Sequence, residues 1–336
     1  MTQTRFGARI MLALLAGAVA GGLSAAGTAQ AMDKVIFQTN WRAEAEHGGF
    51  YQALATGIYK KYGIDATIRM GGPQQDPSAM LLAGKVDFIM ANGLAGLNYA
   101  KEKLPFIVIA SAFQKDPQVL LSHASAGIKG FADMKGKPIM IGATARTSFW
   151  PFLRVKFGFT DDQIRPYTFN MAPFIADKKA IQQAFLTSEP YAIRKASGEM
   201  PVVHLLADAG YDNYQETINT SVRLVKEKPD LVQRFVNASI EGWYSYLNGD
   251  PAPANALIRK DNPDMSEDEI AYSIKAMKEH GIVDSGDSKK FGIGAMTDER
   301  WARFAKVMIQ AGLYPADLDV KKAYTLQFVN KKVGIN

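Results

Sequence analysis

The chain has 336 residues, 47% hydrophobic and 21% charged, with 39 Lys and Arg against 33 Asp and Glu. That apolar fraction suits a globular protein and excludes a disordered one, and the length predicts about two domains. Cysteine is absent, which excludes disulfides, thiolate metal sites and cysteine nucleophiles, and a formal charge of +6 gives no reason to expect nucleic acid as a partner.

Residues 1–31 read as a secretory signal. Arg5 and Arg9 precede an apolar run opened by Ile10–Leu15, and Ala29-Gln30-Ala31 has the small-x-small form of a cleavage site. Cleavage there would leave 305 residues of net charge +4, expected in a bacterial periplasm. No later stretch has the roughly 18 consecutive apolar residues of a membrane span.

After the signal, short apolar strands alternate with helical patterns, as in βαβ units with largely parallel sheets. The pattern predicts strands at 34–41, 64–70, 86–90 and 105–112, with helices at 48–62, 77–83 and 94–101. A second α/β set follows, with strands at 119–122, 138–142, 165–170, 201–207 and 217–225. Residues 130–137 and 148–156 read as helices, and 178–186 fits either type. From Pro229 the pattern is helical. Ser266 and Glu269 form a capping box, and Trp301, Phe304, Met308 and Leu313 share a face of the 297–311 helix. The reading is a signal at 1–31, a first lobe from 32–113 and a second from 114–225. A helical part, 226–336, packs back on the first. Crossovers are expected near 113–119 and between Val202 and Val225.

In open α/β sheets ligands sit beyond the carboxyl ends of the strands. The residues there are Asn40 and Trp41, then Gln74, Asn92 and Gln114, and in the second set Thr144, Arg146, Phe149, Asn170 and Glu189. They offer amides, hydroxyls and aromatic rings, without clustered histidines or paired carboxylates, an inventory for binding rather than catalysis. Trp41 could stack on a planar ligand or pack in the core. Glu46 and His47 could form hydrogen bonds near the first helix start, and Tyr51 could add a ring or hydroxyl. Gly48 and Gly49 would allow close backbone approach and leave helix N–H groups for an anion or acceptor. Thr144–Ser148, with Arg146, could meet an anion or simply cap a helix. Glu189, biased to an extended backbone by Pro190, could accept from an amine or ring nitrogen, or be a surface acid.

The run Asn40–Ala53, followed by Gly57–Asp65, resembles the periplasmic solute-binding proteins of ABC importers. That superfamily includes binding proteins for thiamine-pyrimidine precursors, riboflavin and alkanesulfonates. Leu82–Phe88, Gly127–Lys137, Thr187–Tyr191 and Glu227–Val232 continue the resemblance in order. It implies an α/β, two-lobed type II periplasmic-binding-protein fold whose lobes close on a small solute by hinge bending. The closed form would be presented to the transmembrane subunits of a permease, the chain touching the membrane only through them, as a monomer without cofactor or metal. The pyrimidine branch is most similar, although residues 42–47 are richer in charge than in that branch. By that likeness Trp41 would stack on a ring and Glu189 would bond its amino or N–H edge. A sulfonate, another organic anion or a flavin is the alternative ligand. Pyrimidine-making enzymes of this fold carry a cysteine-rich motif, which a chain without cysteine cannot have.

Overall fold

Strands β1 (Asp33–Gln38), β2 (Ile64–Arg69), β3 (Phe88–Asn92) and β4 (Phe106–Phe113) are joined through helices Gly48–Ala55, Ile58–Lys61, Pro77–Leu82 and Gly93–Lys101. The computed structural model describes residues 1–2, 31–72 and 75–335. The expected signal therefore lies almost wholly outside the described residues, as does Gln74. The predicted 48–62 helix is broken at Gly57, which adopts φ +76° between the two helices. The chain then supplies β5 (Gln118–Ser122), β6 (Ile139–Ile141), β7 (Ile164–Pro166), β8 (Ile181–Phe185) and β9 (Val202–Leu205) before β10 (Gln215–Ser221).

Two five-stranded sheets result, ordered β2-β1-β3-β10-β4 and β7-β6-β8-β5-β9. Both sheets are mixed, with one strand in each running against the other four. β1 runs parallel to β2 and β3, but β10 is antiparallel to β3 and β4. The second sheet repeats the pattern, β5 running antiparallel to β8 and β9. Each sheet thus holds one reversed strand bordering a passage from sheet to sheet, and strand periodicity carries no information on direction. The predicted strand 217–225 is also too long. Ser221 ends β10, and its hydroxyl accepts from Leu224 N at 3.0 Å, capping the helix Val222–Glu227.

The chain passes between the sheets at 114–117 and again at 206–214. Asn213 of the second passage donates to Asp116 of the first at 2.8 Å. Arg300, 5% exposed, holds both: it donates to Gln114 O at 2.6 Å and to Asn213 O at 3.1 Å. Its guanidinium also lies 4.0 Å from the Tyr214 ring.

The core beside the first sheet is aromatic. Phe37 meets Phe50 at 4.6 Å, and Phe88 stacks on Phe235 at 4.1 Å. Phe235 belongs to the long helix Pro229–Asn248, whose Leu231, Phe235, Ala238 and Trp243 are all buried. Later segments add Val108–Tyr324 and Ser111–Gly294 bridges to β4. The helical part also touches the second sheet's side: Phe304 packs on Tyr211, and Ser273 donates to Thr187 O at 2.6 Å.

Candidate ligand site

The segment after β1 is folded inward. Ala43 through Tyr51 are buried except for half-buried Glu44, and Ala45–His47 form a short 3-10 turn before the Gly48–Ala55 helix. The two glycines are there for packing. A Cβ on Gly48 would fall 2.0 Å from the Tyr246 ring, and one on Gly49 2.2 Å from Trp243. The helix Pro229–Asn248 thus closes directly over this helix start. Close approach was expected, but the neighbour is an aromatic helix face rather than a ligand.

A relay of polar side chains runs from that turn. His47 Nε2 lies 3.1 Å from Asn40 Oδ1, while Asn40 Nδ2 donates to both Glu216 carboxylate oxygens at 3.2 Å. With the Asn40 amide so oriented, His47 carries its proton on Nε2, leaving Nδ1 as an acceptor. Burial lowers the His47 pKa to about 3, so the ring is neutral near pH 7. Glu46 accepts from the Thr187 hydroxyl, joining the first helix start to the segment after β8. Removal from water raises the Glu46 pKa to about 7, partly opposed by that hydrogen bond. Glu46 is 2% exposed and His47 fully buried, and Glu46 Oε2 and His47 Nδ1 have no hydrogen-bond partner among the described residues.

Four further glutamates belong to this cluster. Burial raises the Glu44 pKa well above normal, with added repulsion from Glu46, Glu216, Glu189 and Glu269. Glu216, 3% exposed, is likewise raised, first by burial. Glu189 accepts from Phe185 N at 2.8 Å and from the Tyr167 hydroxyl at 3.4 Å, and burial raises its pKa despite them. Ser266 Oγ accepts from Glu269 N at 3.2 Å, the cap expected there.

Glu189 is not extended. It begins the helix Glu189–Ser197, because proline is tolerated in a first helical turn where its missing N–H has no partner to lose. Its charge acts on both Glu44 and Glu46, raising their pKa values further. Trp41 is 39% exposed, its backbone O accepting from Gly71 N at 3.1 Å and from the Thr39 hydroxyl at 2.7 Å. The indole is therefore not core.

Several candidates are occupied elsewhere. Tyr51 donates to Asp261 at 2.8 Å. Asn92 caps the Gly93–Lys101 helix, accepting from Ala95 N at 3.0 Å. Gln114 donates to Ala295 O at 2.9 Å within the Arg300 passage. Phe149 is 1% exposed and packs edge-on to Tyr211 in the second sheet's core. Asn170 is exposed and accepts from Ala172 N at 3.0 Å. Asn92, Gln114 and Asn170 are engaged by nearby backbone groups, Phe149 by the core and Tyr51 by the Asp261 carboxylate. Thr144 and Arg146 are exposed, and Thr147 and Ser148 donate back to Thr144 O at 3.3 and 3.1 Å. That local closure corrects the anion-binding helix start: the segment is a 3-10 turn, Ala143–Thr147, with Trp150–Phe157 helical after it.

The residues missed by sequence reasoning are Glu44, Glu216, Glu269 and Tyr167. Glu216 had no local signal. It adopts φ +49° where β10 slips register between Gln215 and Thr217, a bulge that re-aims one side chain.

With that geometry described, likeness to known proteins is informative. The sequence profile described as NMT1/THI5 like matches residues 44–254. The riboflavin-binding protein RibY of Chloroflexus aurantiacus is 23% identical over 306 residues, covering 89% of this chain and 86% of that protein. The 4-amino-5-hydroxymethyl-2-methylpyrimidine phosphate synthase of Schizosaccharomyces pombe is 29% identical over 107 residues, 32% of this chain and 31% of that one. Among solved structures, the periplasmic aliphatic sulphonate binding protein SsuA of Escherichia coli superposes with a TM-score of 0.66 at 12% identity. It covers 87% of this chain and 91% of its own. That likeness establishes the two-lobed periplasmic-binding fold.

Proposed function

From a chain that belongs to the NMT1/THI5-like family, we infer a solute-binding receptor of an ABC importer that holds a small nitrogen heterocycle between its lobes. The observation carrying this reading is chemical. The unpartnered buried atoms beside the Glu46–Thr187 contact, Glu46 Oε2 once the carboxyl is ionised and His47 Nδ1, are acceptors. A buried acceptor left unmade costs about 1–3 kcal/mol, so the solute that stabilises the closed form brings N–H donors. An aminopyrimidine edge does so. A sulfonate carries oxygen acceptors and no N–H on its charged head.

Glu189 stands as the second wall, already oriented by Phe185 N and Tyr167. Trp41, exposed at the end of β1, supplies a ring face. Hinge bending at the 114–117 and 206–214 passages would bring solute and walls together, and excluding water strengthens each polar contact. The closed form would then be read by permease transmembrane subunits, outside the cytoplasm once the expected signal is cleaved. The likeness to RibY, over 86% of that protein, supports a flavin as the second reading.

The test is a thermal shift of the protein with 4-amino-5-hydroxymethyl-2-methylpyrimidine, riboflavin and taurine. Ligand binding only the folded form raises Tm, by an amount equivalent to about 2.7 kcal/mol at one hundred times Kd. A shift with the pyrimidine alone is expected. A shift with taurine alone overturns the reading, and one with riboflavin alone moves it to the flavin.

A further inference from the structure

Resting on that reading of the cleft, we propose that the site selects its solute as a cation, a ring bearing a charged amine, and discriminates against neutral and anionic forms of the same ring.

The placement of charge argues for this. Five carboxylates influence one another from four stretches of chain: Glu44 and Glu46 before the first helix, Glu189 at the start of helix Glu189–Ser197, Glu216 on β10, and Glu269 on helix Glu267–Glu279. The charges acting on Glu44 are all glutamates. Of nearby cations, Lys195 acts on Glu269 and Arg300 on Asp116, while Glu44, Glu46 and Glu216 have no basic group opposing their repulsion. Buried charge without a counterion is unfavourable, so it is neutralised by protons or by a bound cation.

The second observation is the free oxygen. Glu189 and Glu216 have both carboxylate oxygens engaged, but Glu46, 98% inaccessible, offers Oε2 to no group among the described residues. Beside it His47 Nδ1 is also an open acceptor. The groups facing Glu46 are Thr187 and Glu189 from the second lobe, Glu269 from the helical part, and Tyr246 from the helix over Gly48. Glu44, Glu216 and neutral His47 face it from the first lobe. None of these is a cation.

The carboxylates do not form a metal site: among the described residues no three His, Asp or Glu side chains converge in a way that could hold a metal ion. Spread acceptors suit an organic cation with several N–H donors. Its arrival replaces a proton on Glu46, which leaves to solvent as the ammonium takes its place.

The experiment uses two matched trios with the whole protein. One is 4-amino-2-methylpyrimidine bearing 5-aminomethyl, 5-hydroxymethyl or 5-carboxylate groups. The other is benzylamine, benzyl alcohol and benzoate. Calorimetry at pH 7 in two buffers of different ionisation enthalpy gives affinity and protons released. Expected is about tenfold or tighter binding of the aminomethylpyrimidine than of the alcohol, with proton release and no binding of the carboxylate. Glu46→Gln should reduce the amine's advantage over the alcohol to below about threefold and abolish the proton release.

Equal binding of amine and alcohol without proton release overturns the cation inference and leaves the pyrimidine reading standing. Benzylamine bound in preference to benzyl alcohol, with no pyrimidine bound, supports the cation and overturns the pyrimidine. Silence of all six overturns both. The wild-type comparison stands even if the variant fails to fold.

Discussion

The segments after β1 and β6 occupy matching places in the two sheets, each lying between a parallel strand and a helix. The first, 39–48, ends under the helix Pro229–Asn248, with Glu46 buried and Glu44 half-buried. The second, 142–149, exposes Thr144 and Arg146 and closes its hydroxyls on its own backbone. Both read alike locally, as turns offering N–H groups and polar side chains. The difference is what packs above them: a covering helix makes the first turn dry, and only in a dry turn does an unmade hydrogen bond select a ligand.

The largest expected effect separates the glycines of the two turns. Gly48→Ala places a methyl 2.0 Å from the Tyr246 ring and should destabilise by about 3 kcal/mol or more in chemical denaturation. Gly142→Ala meets Gln183 at 3.4 Å and should cost less than about 1 kcal/mol. Equal losses would mean that the covering helix does not sit as described.

Next comes the pH dependence of Glu46. Its folded pKa, about 7, lies above the ordinary 4.5, so the native state binds more protons than the unfolded state between those values. Stability from this group is therefore complete below about pH 4.5 and falls as pH rises to about 7, by about 3 kcal/mol at most. Glu46→Gln removes that slope. The variant's Tm minus the wild type's should grow from pH 4.5 to 7 and then level off. Neutral His47 contributes the opposite slope between about pH 3 and 6.5 in both proteins and cancels in the difference. A flat difference would show that Glu46 titrates like a surface acid.

A smaller effect is expected at the rim. Trp41→Ala should weaken a ring ligand about fivefold, roughly 1 kcal/mol, with Tm of the free protein unchanged because the indole is 39% exposed. A fall in Tm without change in affinity would make the indole a packing residue. The smallest belongs to the second turn. Arg146→Ala should change stability by less than about 0.5 kcal/mol and affinity for the pyrimidine by less than about twofold, measured by calorimetry. A large affinity loss would make the exposed turn part of the site and favour an anionic solute.

Much of the fold was legible because alternation and helical spacing survive any tertiary arrangement. Strands such as Phe106–Phe113 and the cap at Ser266 lie close to where the residues place them. The site was legible only where it follows a strand directly, as at Asn40, Glu46, His47 and Glu189. Asn92 and Gln114 carry the same kind of side chain but are engaged elsewhere. The backbone N–H of Ala95 and the carbonyl of Ala295 claim them, and neither partner is visible in a local window. Glu216 was hidden for the opposite reason: a bulge at the start of β10 re-aims one residue, and no pattern in Gln215–Ser221 announces it.

By itself the sequence determined two α/β sets and a helical tail, an inventory suited to binding, and a family resemblance. Each depends on side-chain type and spacing, which act over a few residues. Only the tertiary structure decided that each sheet takes in a reversed strand, that paired glycines seat an aromatic helix face, and that Glu46 and Glu216 are buried within reach of three half-buried glutamates. Those outcomes depend on packing between segments far apart in the chain. Burial, rather than residue identity, turns an ordinary glutamate into one that demands a proton or a partner.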